Sequence, residues 1–191
     1  ENDRNTEDLA AGGRWDELSL ATQRYILGRA EGVELELAGE GGSLTVFTPH
    51  RKFAGLASFV LLSPRHPEID VWVTDPSARE ELEKMRSGGW ERSARDARSV
   101  PLVDTGASIA GPGGEELPIA VTPLVDARFG PTAALAIPAI DEADRDLAER
   151  LERVEVPAAP GEGEEGPAPA PVDGAREATR YRANDFSISR Q

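Results

Sequence analysis

The stretch that most constrains the fold runs from Leu117 to Leu151, LPIAVTPLVDARFGPTAALAIPAIDEADRDLAERL. Two short apolar runs, Leu117 to Val125 and Thr132 to Ile137, are rich in Val, Ile, Leu and Ala and bounded by Pro and Gly. That pattern predicts two buried strands. Pro138 ends the second, because proline cannot donate to a ladder. A helix then begins at Asp141, where Ala143, Leu147, Leu151 and Val154 repeat at helical spacing and form one apolar face. Asp141 is placed to cap that helix, and Asp144 lies in its first turn, where the positive end of the helix dipole favours a carboxylate. Both carboxylates fall on one side of the helix start, beyond the ends of two buried strands. On residue pattern alone, capping accounts for them; a ligand at a helix start beyond strand ends is the alternative.

The remaining chain reads as more short elements. Arg14 to Ala30 has helical periodicity. Val33 to Leu37 and Ser43 to Thr48 read as strands joined by a turn at Gly41-Gly42. Leu56 to Ser63 reads as a buried strand and Ile69 to Val73 as a short one. Pro76 to Ser87 is an amphipathic helix with Pro in its first turn and Gly88-Gly89 after its end. Val100 to Ile109 and Leu117 to Val125 flank a Gly-rich turn and make a hairpin. Trp90 to Ser99 alternates Arg with acidic residues, a solvated face or an RNA-facing one. His66, before Pro67 in a turn, reads as structural. Between Val156 and Ala175 the sequence is Pro, Ala, Gly and Glu with almost nothing to bury, so it is expected to lack a fixed conformation.

Composition narrows the chemistry. The 191 residues suffice for a real core, which must be aliphatic because aromatics are only 5%. The absence of cysteine excludes disulfides and thiolate chemistry, and with only two histidines a zinc site is not expected. No apolar run approaches the ~20 residues of a membrane span. The net charge is −14, and setting aside the five acidic residues between Glu155 and Ala175 leaves −9. A free-standing nucleic-acid binder would show a basic footprint instead. Neither a phosphate-cradling P-loop, a dinucleotide fingerprint nor a nucleophile elbow occurs.

Several segments, in order, resemble one family. FGPTAALAIPAIDEAD is similar to the leucyl-tRNA synthetase pattern Y-G-T-G-A-V-M-A-V-P-x-H-D-x-R-D, kept or conservatively replaced at Phe129, Gly130, Ala133, Ala136, Ile137, Pro138, Asp141 and Asp144. VDTGASIAGPGGEELPIAV resembles the segment before it. TQRYILGRAEGV and YRANDFSISRQ resemble the segments where the family's chain leaves its catalytic domain and returns to it. The resemblance thus points to the inserted connective-polypeptide editing domain, which hydrolyses wrongly charged tRNA, and covers nearly all the chain apart from the linker.

The resemblance implies an α+β fold, a barrel-like mixed β-sheet with peripheral helices. It implies an organisation of 1–32 as a segment leaving the catalytic domain, 33–154 as the globular core, 155–178 as a flexible linker and 179–191 as a return segment. It implies tRNA and the parent catalytic domain as partners, no membrane, a monomeric piece and a cytoplasmic location. No cofactor is expected here; ATP and Mg belong to the parent catalytic domain, which would join leucine to tRNA. Asp144 is the implied anchor for the substrate's α-ammonium, with Asp141 beside it, and Thr48 lines the ester. Arg51, Lys52, Gly55 and Gly130 are the implied substrate- and tRNA-binding positions, and no metal site is expected.

Departures from the pattern bear on activity. The family's threonine-rich loop, T-T-R-P-D-T-x-x-G, stands here as Thr48-Pro49-His50-Arg51-Lys52-Phe53-Ala54-Gly55. Its second Thr is replaced by Pro49 and its distal Asp-Thr is missing. Ile140 and Ala143 replace the family's His and Arg, and Pro131 and Thr132 replace its Thr and Gly. Two readings follow. One is an editing domain with weakened ester hydrolysis; the other is a degenerate, non-catalytic insertion that positions tRNA or serves as structure.

Overall fold

The computed structural model describes residues 29–39, 41–88, 97–125, 132–156 and 170–181. Its centre is a seven-stranded mixed sheet. The strands are β1 (Arg29–Gly39), β2 (Gly42–Thr48), β3 (Phe59–Leu62), β4 (Val103–Ala110), β5 (Glu116–Val121), β6 (Ala133–Ala136) and β7 (Arg176–Tyr181), in spatial order β4-β5-β3-β6-β2-β1-β7. The pairs β3–β5 and β2–β6 are parallel and the rest antiparallel. A 3-10 helix spans Arg51–Leu56, and the α-helices are α1 (Ile69–Trp72), α2 (Pro76–Ser87) and α3 (Glu142–Ala148).

Strand periodicity explains the layering. In β1, Val33, Leu35 and Leu37 are buried while Glu36 and Ala38 face solvent, the alternation of a half-buried strand. The interior strand β3 has no solvent face. Val60 and Leu62 join a larger core with Leu35, Val46, Ile119, Leu135 and helices α1 and α2. Phe59 and Leu61 join a second core on the opposite face, with Ala120, Ala136, Leu147, Leu151 and Val154. Truncating a fully buried side chain such as Phe59 costs on the order of 3–5 kcal/mol.

The α+β architecture and mixed sheet agree with expectation, with one qualification: the sheet does not close into a barrel. It curls far enough that a Cβ on Gly39, at the end of β1, would lie 3.0 Å from Ile109 of β4, yet no ladder joins those strands among the described residues. Ile69–Trp72 is helical rather than a strand. The burial pattern gives the reason: Ile69, Trp72 and Val73 are inside while Val71 is exposed, a spacing of three and four. The expected strand over Leu56 to Ser63 is confined to Phe59–Leu62, because Leu56 closes the 3-10 turn. Helix α3 stops at Ala148, and Leu151 and Val154 reach their core from the turns that follow. Helix α2 has its expected bounds: Pro76 occupies the first turn and the Asp75 carboxylate accepts from the Ser77 and Ala78 amides.

The expected helix over Arg14 to Ala30 lies outside the described residues except for Arg29 and Ala30, which open β1. The charged run from Trp90 lies outside as far as residue 96. Of the Pro/Gly-rich tract, residues 157–169 lie outside too, whereas Ala170 is held at its backbone. Its N–H donates to the Lys52 carbonyl at 2.8 Å and its carbonyl accepts from Gly55 N at 2.8 Å. Strand β7 follows on β1, with Arg29 opposite Tyr181 and Glu34 opposite Arg176.

Candidate functional site

Two segments meet at the ends of β2 and β6. The first is the corner between β6 and α3. After Ala136 the chain turns at Ile137–Ile140, and the amides of Ile140 and Asp141 both donate to the Ile137 carbonyl at 3.1 Å. Asp141 is extended and caps α3, its Oδ1 accepting from Asp144 N at 3.1 Å. The Asp144 carboxylate reaches back to the strand end, where Oδ2 accepts from Ile137 N at 2.6 Å. Arg145 Nη2 donates to the Pro138 carbonyl at 2.7 Å and closes the turn from the other side.

This corner shapes its own electrostatics. Burial pushes the Asp144 carboxyl up to about 7, the neighbouring Asp141 charge pushes the same way, and the Ile137 N–H opposes both. A carboxyl poised near neutrality changes charge at modest cost when a cation arrives.

The second segment is the loop after β2. Thr48 is the last residue of that strand, its side chain fully buried and its Oγ1 accepting from His50 N at 3.1 Å. The crossing with β1 is tight there: a Cβ on Gly32 would stand 2.2 Å from the Thr48 carbonyl oxygen, so only glycine fits. His50 then turns its imidazole toward α3, with Nε2 at 3.6 Å from Asp141 Oδ2. Arg51 and Lys52 are exposed, and Arg51 Nη1 donates to Glu177 of β7. Gly55 packs against the returning chain, where a Cβ would meet the Ala170 carbonyl at 2.8 Å.

The structure therefore brings His50 against Asp141, with Thr48 bonded to the His50 amide and Asp144 bonded to Asp141. It places Arg51 on the opposite flank of the loop, in the wall of a cleft of about 470 Å³ shared with Glu31, Gly32, Pro49, Glu177, Ala178 and Thr179. Asp144 and Asp141 do not line that cleft. Lys52 and Gly55 are engaged through their backbones with Ala170, and Gly130 lies outside the described residues. Sequence reasoning missed the approach of His50 to Asp141. The chain has only two histidines, and one standing two residues after Thr48 was the available signal. The other, His66, is buried. Its Nδ1 accepts from Glu68 N at 3.1 Å and burial lowers its pKa, so it is a neutral packed imidazole. Among the described residues no group of three His, Asp or Glu side chains could hold a metal, and no helix is long and apolar enough to cross a membrane.

Comparison with known proteins places this geometry in context. The family model described as leucyl-tRNA synthetase, editing domain, matches residues 24–162. A leucine–tRNA ligase of Halorhodospira halophila is 35% identical over 138 residues, 70% of this chain and 17% of that protein. Leucine–tRNA ligase 1 of Rhizobium johnstonii is 36% identical over 137 residues, 68% of this chain and 16% of that protein. The chain thus spans about a sixth of the length of the curated relatives it matches. Among solved structures, the crystal structure of an Agrobacterium radiobacter K84 LeuRS in ternary complex with tRNA and LeuAMS superposes with a TM-score of 0.70 at 23% identity, covering 95% of this chain and 24% of that one. That likeness bears on the fold.

Proposed function

The chain belongs to the editing-domain family of leucyl-tRNA synthetases, and from that premise we propose that it receives the aminoacylated 3′ end of a mischarged tRNA and hydrolyses its ester slowly. Within this reading the β6–α3 corner holds the amino acid, and the loop after β2 has lost most of its means of handling the ester. The parent protein would be an ATP-dependent, cytoplasmic leucine–tRNA ligase, with ATP and Mg held by its catalytic domain and with tRNA and that domain as partners.

The observation that carries the reading is the Asp144 carboxylate, fixed by Ile137 N with Asp141 alongside. An α-ammonium arriving there offers a charge-assisted bond. Its positive charge favours the ionised carboxylate, so Asp144 binds it as the anion and releases any proton it held. Holding the ammonium positions the neighbouring carbonyl for water, and positioning accounts for much of the acceleration available to such a site.

The loop supports the slow half of the proposal. Thr48 Oγ1 already accepts from His50 N, and Pro49 offers no backbone N–H to a developing oxyanion. Loss of one such donor typically costs ~10²–10³ in rate. The net charge of −14 also slows encounter with RNA. The full burial of Thr48 favours a second reading, a non-catalytic module that positions tRNA.

Single-turnover release of a noncognate amino acid from mischarged tRNA-Leu separates the two. The expected result is hydrolysis at least about 10²-fold slower than a family domain with an intact threonine-rich loop, abolished by Asp144→Ala. Hydrolysis at the control's rate would refute the eroded loop, and no hydrolysis at all would leave the positioning module.

A further inference from the structure

The hydrolysis proposed above needs a group to take a proton from the attacking water, and the loop after β2 contains an imidazole that no part of that reading uses. His50 is fixed at two backbone points. Its N–H donates to Thr48 Oγ1 at 3.1 Å, and its carbonyl accepts from Phe53 N at 2.8 Å as the 3-10 helix begins. Its side chain is directed at a carboxylate that is itself fixed, because Asp141 Oδ1 accepts from Asp144 N while Oδ2 stands 3.6 Å from His50 Nε2. The two side chains are 35% and 36% exposed, so water reaches the pair. The contrast with His66 is direct: that imidazole is 7% exposed and spends its Nδ1 lone pair on a backbone amide.

We propose that His50 is a catalytic residue, the proton acceptor for the water that attacks the aminoacyl ester, with Asp141 orienting its imidazole. This rests on the deacylase reading of the site and extends it. With Nε2–H directed at Asp141, Nδ1 is the basic nitrogen. Water gives one proton to Nδ1 as its oxygen bonds to the ester carbonyl carbon. The tetrahedral intermediate then collapses, the bond to the ribose oxygen breaks, and the imidazolium returns its proton to that oxygen. The amino acid leaves as its acid and ionises in solvent, so the imidazole ends as it began.

The placement is dictated by substrate chemistry. In an α-amino acid the carbonyl carbon is two bonds from the nitrogen. An ammonium held by Asp144, whose own N–H is bound to Asp141, therefore brings the carbonyl into the corner that His50 faces. The carboxylate that faces the imidazole is Asp141, while Arg51 of the same loop is turned to Glu177 of β7.

The test is single-turnover deacylation of mischarged tRNA-Leu by the chain, wild type against His50→Gln and His50→Gly, with and without added imidazole. The expected result is a loss of about 10²-fold in both variants, with the Gly variant recovering in proportion to imidazole concentration. Rescue is a response that a merely structural histidine would not give. Unfolding midpoints equal to wild type establish that the variants are folded. Wild-type hydrolysis by His50→Gln overturns this inference and leaves the deacylase reading intact, as does a folded His50→Gly that imidazole does not restore. A wild-type chain with no hydrolysis overturns both.

Discussion

The corner between β6 and α3 and the loop after β2 face one another across the same site, yet they stand very differently to the family pattern. The corner keeps Pro138, Asp141 and Asp144, whereas the loop keeps Thr48 and Gly55 and little between. Hydrogen bonds explain the difference better than catalysis does. Asp141 satisfies the Asp144 amide, Asp144 satisfies the Ile137 amide, Thr48 satisfies the His50 amide, and Gly55 clears the Ala170 carbonyl. Each surviving residue also holds up the local backbone, where an orphaned amide costs about 1–3 kcal/mol. Asp144 therefore has a backbone duty beside its proposed role as anchor, and experiment separates the two.

The largest effect is expected from rebuilding the loop. Grafting T-T-R-P-D-T onto the Thr48 loop of this chain should raise single-turnover deacylation by about 10²-fold if the corner still receives the amino acid. An unchanged rate would mean that the corner is as eroded as the loop.

Stability against pH probes the corner alone. The Asp144 carboxyl titrates at about 7 in the folded chain against an ordinary 3.8, so the folded state holds this proton more tightly. The stabilising contribution is complete below the ordinary value and is lost as pH rises toward 7 and above. Urea midpoints at pH 5 and pH 8 should differ by on the order of 2 kcal/mol from this group. Asp144→Asn, which keeps an acceptor for Ile137 N, should remove most of that difference.

A smaller loss, about 1 kcal/mol, is expected for Asp141→Ala in the unfolding free energy, the worth of an N-cap. An unchanged midpoint would assign Asp141 to ligand rather than helix. The smallest effect belongs to the loop's outer flank. Arg51 and Glu177 are both well exposed, and Glu177→Gln should shift stability by less than about 1 kcal/mol. A larger shift would show that the loop is braced by β7 more firmly than its exposure suggests.

What could be read from the sequence divides along the same line of local against distant. Helix α2 was legible to its ends because Pro76 and Gly88 each act within one turn of the helix end they mark. The Asp141–Asp144 corner was legible for the same reason. Five residues from Ile69 to Val73, four of them apolar, could not settle their own period, and packing of Ile69 and Trp72 into the larger core decided for helix. Sheet closure was beyond reach, since it depends on whether β1 and β4 pair across the whole chain. So was the meeting of His50 with Asp141, which only the parallel pairing of β2 with β6 brings about.

The antiparallel pairing of β1 with β7, with Arg29 opposite Tyr181, has a mechanical consequence for any longer protein that carries this fold as an insertion. Arg29–Gly32 and Ala178–Tyr181, beyond the reach of β2, run side by side as a two-stranded ribbon. Such a ribbon resists stretching, because its cross-strand hydrogen bonds would have to break together, but it yields readily to twist and bend. A body on that ribbon stays at a fixed reach from its host while remaining free to swivel. Its bearing toward that host would then answer to torque on two adjacent strands.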